Sequence, residues 1–69
     1  MLFGFDRATD EASLGEFLRR LGDEQCHRVL VSRMSEAEIQ QVVDVLTRLM
    51  QRHLTHDEYH ALFLSDATS

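Results

Sequence analysis

The chain contains no proline, and its three glycines stand at positions 4, 15 and 22, so none of the strongest helix breakers occurs from residue 23 onward. That stretch is free to form long helices. Within it, "SEAE" at 35–38 has the pattern of a capping box, in which Ser35 accepts from an orphan backbone amide and Glu38 reaches back to the amide of Ser35. Behind this start, Ile39, Val42, Val43, Leu46, Leu49, Met50 and His53 fall on one helical stripe. Glu36, Gln40, Asp44, Arg48 and Gln51 fall mostly on the other side. Asp44 precedes Arg48 by one turn, the favourable order for an ion pair within a helix, so the spacing predicts that pair.

Similar signals divide the rest of the chain. Leu14, Phe17, Leu18 and Leu21 lie at i, i+3, i+4 and i+7, and Gly22 follows as a C-terminal cap, which predicts a helix from about Asp10 to Leu21. Residues 1–9 read as an extended N-terminal arm in which "LFGF" folds Leu2, Phe3 and Phe5 against the core. In "DEQCHRVLVSRM", Asp23 is an N-cap and Cys26, Val29, Leu30 and Met34 take helical spacing, with Cys26 expected as a small buried apolar residue. A competing reading makes "RVLVS" a strand paired with "LFGF". "THDE" at 55–58 is a second capping box, opening a final helix with Tyr59, Leu62 and Phe63 inward and Leu54 as a staple; residues 65–69 form a frayed tail. The expected fold is all-α: three to four short antiparallel helices in a compact bundle, one domain over 1–69, with dimerisation available to complete it.

Size gives dimerisation its force. A chain of 69 residues buries only about 60% of the surface it exposes when unfolded, and small domains recruit disulfides, a metal or another subunit as reinforcement. The single Cys26 excludes an internal disulfide. The net charge of −5, with every base an arginine, argues against binding nucleic acid or anionic membranes through phosphate contacts. "MLFGFDR" lacks the basic and apolar regions of a signal peptide, and no window is long enough to span a membrane, so a cytoplasmic location is expected.

"HLTHDEYH" at 53–60 gathers three of the four histidines. His56 and His60 stand one turn apart and suit Zn²⁺ or another transition metal, with His53, Asp57, Cys26 or a second copy of the chain supplying further ligands. "HDEYH" also approaches the zinc-protease pattern H-E-x-x-H, but it has Asp57 in place of the glutamate, and only nine residues follow His60. No complete set of nucleophile, base and oxyanion donors is present, so no enzyme activity or obligate cofactor is expected. A helix-turn-helix reading places Glu36 and Glu38 where base contacts are needed, which disfavours DNA. The apolar inventory exceeds what one small bundle covers, since Val45 lies off the main stripe of the third helix and Val31 flanks that of the second. The expected role is that of an interaction module, an adaptor or regulator that pairs as a homodimer or with a helical partner. Val45, Leu49 and Met50 would pack, with Arg48 and Arg52 on the rim; His53, His56, Asp57 and His60 belong to the alternative metal-binding reading.

Overall fold

A computed structural model describes residues 1–65 of the chain, and every regular element among them is helical. The helices are α1 (Arg7–Leu21), α2 (Glu24–Arg33), α3 (Glu36–His53) and the single turn α4 (His56–Glu58), which continues into a π-helical turn, Tyr59–Phe63. Two units of chain emerge, Met1–Met34 and Ser35–Ser69. Of the frayed tail expected at 65–69, all but Ser65 lies outside the described residues.

In the first unit α1 begins one turn earlier than the apolar spacing predicts. Asp6 is the N-cap, its carboxylate accepting from the amide of Thr9 at 2.7 Å. Asp10, expected near the helix start, instead sits in the first turn and accepts the amide of Gly4 at 2.8 Å. The arm is therefore shorter than residues 1–9, and it folds back along α1. Leu2 donates its amide to the hydroxyl of Ser13 at 3.1 Å, and Phe3 meets Phe17 edge to face at 6.5 Å. Gly4 permits this reversal because its φ of 79° is one that side chains with a Cβ rarely adopt. The arm nonetheless leaves its apolar side chains in solvent, with Phe5 79% exposed.

Gly22 does close α1, with its amide reaching the carbonyl of Leu18 at 2.9 Å, but in the right-handed region rather than as a left-handed cap. Only Gly22 and Asp23 separate α1 from α2. Asp23 accepts from the amides of Gln25 and Cys26, and the His27 ring nitrogen Nδ1 donates back to the Asp23 carbonyl at 2.9 Å. "RVLVS" is thus helical, and the strand alternative is excluded. Cys26 is exposed, contrary to expectation.

The second unit follows its capping signals closely. At the start of α3, Glu38 donates its amide to the Ser35 hydroxyl at 3.1 Å and accepts the Ser35 amide at 2.9 Å. The predicted Asp44–Arg48 pair does not form; Asp44 instead accepts from Gln40 at 2.7 Å, one turn upstream. Thr55 and Glu58 make the second box, with bonds of 2.8 and 3.2 Å. The final helix departs from expectation, however: after one α turn it widens so that the Leu64 amide reaches the Tyr59 carbonyl, five residues back. Leu62 and Phe63, expected to face inward, are 69% and 56% exposed.

Among the described residues no apolar side chain is buried, and the only buried residue is Ser13. Helical form here rests on local bonds. Two predictions follow from those bonds. Ser35→Ala should lower helix stability by about 1 kcal/mol, read as a loss of ellipticity at 222 nm. The carboxylate of Glu16, held by Arg19 at 2.5 Å and Arg20 at 3.0 Å, has its pKa lowered from 4.5 to about 2 by those hydrogen bonds. A lowered pKa stabilises the folded form above the ordinary value, and that contribution disappears as pH falls through the folded one. Helicity should therefore decline between about pH 4.5 and 2, and Glu16→Gln should reduce the part of that decline due to α1.

Candidate functional site

The apolar side of α3 is the largest organised feature of the second unit. It arises because apolar residues recur at helical spacing over a helix of 18 residues, roughly 27 Å in length. Val45 and Leu49 are 46% and 47% exposed. Met50, the third of the expected packing residues, is half-buried. Arg48 and Arg52 stand on the same helix with no ion pair among the described residues. The five expected interaction residues thus share one element.

Met50 belongs to an open cleft of about 360 Å³ between the end of α3 and the final turns. Thr47, Met50, Gln51 and Leu54 line one wall at i, i+3, i+4 and i+7, and Thr55, His56 and Tyr59 line the other. The break at Leu54 and Thr55 makes this cleft by turning Tyr59 back towards α3, and both Leu54 and Tyr59 are half-buried as a result. Leu54, expected as a staple for the final helix, and Tyr59 thus line the same cleft. Tyr59 also stacks on Phe63 with ring centres 5.3 Å apart. Sequence reading had not grouped Thr47 and Gln51 with these residues, although their spacing with Met50 and Leu54 carries the signal.

The histidines divide at the same break. His53 is the last residue of α3, whereas His56 and His60 lie beyond it with their rings 4.4 Å apart. That pair offers two imidazole donors on one side of the chain. Among the described residues no group of three or more His, Cys, Asp or Glu side chains is placed to hold a metal ion. Cys26, considered as a further donor, belongs to the other unit. There, Cys26, Val29 and Leu30 line a shallow depression bounded by Asp23, Gln25 and Arg33.

Compared with protein-family models, curated proteins and solved structures, the chain matches none. The functional reading therefore rests on the residues themselves.

Because Tyr59 is the only tyrosine and the chain has no tryptophan, its fluorescence reports on the cleft alone. Thr55→Ala removes the cap that holds the second wall and should make Tyr59 more accessible to acrylamide quenching. Ser35→Ala, at the far end of α3, should leave the quenching unchanged.

Proposed function

We propose that this protein is a small helical interaction module, an adaptor or regulator, that self-associates through the apolar faces of α3 and α2. The observation that carries this reading is that, among the described residues, Ile39, Val42, Val43, Leu46 and Leu49 on the apolar side of α3 are all exposed. A helix with a continuous apolar side gains most of its stability by burying it, since short isolated helices are marginal in water. A second copy is the commonest source of such cover, through a twofold homodimer. The same pairing would complete the compact antiparallel bundle that the sequence pattern implies.

On this reading Val45, Leu49 and Met50 supply packing, and Arg48 and Arg52 orient the contact from its rim. On α2, Val29, Leu30 and Val31 are exposed and extend the available apolar surface. The module acts by binding and carries out no chemistry, in keeping with the lack of a complete catalytic set.

Light scattering on the untagged protein, under reducing conditions so that exposed Cys26 cannot link copies, should give twice the chain mass. Leu49→Glu should weaken association by at least about a hundredfold, since each copy loses a buried leucine worth roughly 1.5–3 kcal/mol. Glutamate forms helix well and stands three residues before Arg52, so any loss of helicity in this variant would come from lost association rather than from the residue itself. A wild-type monomer at millimolar concentration would contradict this function. His56→Ala combined with His60→Ala should leave the mass unchanged with or without Zn²⁺; loss of association in that variant would favour the metal-dependent alternative.

A further inference from the structure

We infer that the partner of α3 is the α3 of a second copy running antiparallel, in one register fixed by charge. This rests on the self-association reading and adds to it an orientation and a set of facing residues. Ile39, Val42, Leu46, Leu49 and His53 are spaced by alternating steps of three and four, the a and d positions of a heptad repeat. In that frame Glu38, Val45 and Arg52, each seven residues apart, occupy the g position on one flank. Antiparallel helices set g against g. With Val45 facing its own counterpart at the centre, Glu38 faces the second copy's Arg52, and Arg52 faces the second copy's Glu38. The same register layers Ile39 on the second copy's Leu49 and Val42 on its Leu46.

Three independent features of the structure suit this arrangement. Val45 lies off the main stripe, yet it is apolar and 46% exposed; a central g-to-g contact gives it a partner. Arg52 forms no ion pair within its own chain among the described residues, and Glu38 uses only its Oε1 oxygen to cap Ser35. The cleft residues Thr47, Gln51 and Leu54 occupy the opposite side of α3 from Glu38, Val45 and Arg52, so the final turns do not cover the g flank. A parallel pairing would bring Glu36 and Glu38 of both copies to one end and both Arg52 side chains to the other. It would also align the two helix dipoles, which antiparallel packing opposes.

The test is a double-mutant cycle on dimer dissociation, measured by sedimentation equilibrium. Glu38→Gln keeps the capping box, because glutamine serves it as well, and Arg52→Glu disturbs no internal ion pair. Arg52→Glu alone should weaken the dimer about tenfold, since two attractive pairs become repulsive. Glu38→Gln should weaken the wild-type dimer but strengthen the Arg52→Glu dimer, a reversal of sign that requires the two side chains to face each other. An equal effect of Glu38→Gln in both backgrounds, with the dimer intact, overturns the antiparallel register and leaves self-association standing. A wild-type chain that never dimerises overturns both.

Discussion

The uncovered apolar side of α3 is the constraint from which the rest of the structure takes its meaning. Burial of apolar surface is the dominant favourable term in folding, contributing roughly 25 cal/mol per Å² removed from water. In this chain no described apolar side chain reaches a buried state, and Ile39, Val42, Leu46 and Leu49 on α3 are all exposed. Such a helix gains most of its stability in water from a covering surface. The properties of the protein follow from what supplies that surface.

The bonds that do form are local and few residues apart. The Ser35–Glu38 and Thr55–Glu58 boxes, the Asp6 and Asp23 caps, and the pairs Arg7–Glu11, Arg28–Glu24 and Arg19–Glu16 all lie within one turn of the chain. Exposed ion pairs of this kind contribute little, about 0–1 kcal/mol each. They determine where helices begin and end without supplying a core. The side-chain bond that spans the most sequence, from the Leu2 amide to the Ser13 hydroxyl, ties the arm to α1 at the one buried residue among those described. Local order without a buried apolar core among the described residues is what the proposed self-association would complete.

How much of this was legible in the sequence depended on the range of the interaction involved. Ser35, Thr55 and Asp23 cap helices through atoms two or three residues away, so their patterns led directly to the observed boundaries of α2 and α3. Asp6 was missed as a cap because the apolar spacing starts only at Leu14, and Asp10, taken as the start, instead accepts from Gly4 in the folded arm. Asp44 had suitable neighbours on both sides, Gln40 and Arg48, and spacing could not rank them. Apolar periodicity identified Cys26 as lying on a stripe but could not say whether another element would cover it; the same limit applied to Leu62 and Phe63, where the π-helical turn also shifted the phase. The cleft around Tyr59 was half visible, because the capping box located the break and the staple but did not show which face of α3 the chain would turn onto.

The central claim is that folding and association are one process, and the dependence of thermal stability on protein concentration tests it most directly. Mass action requires the midpoint of a dimer's unfolding to rise with concentration. Followed by circular dichroism from low micromolar to millimolar protein, the midpoint should climb steadily, and helicity at 25 °C should fall on dilution. A midpoint that stays constant across that range, with full helicity at the lowest concentration, would show that the chain holds its helices unaided and would contradict the account.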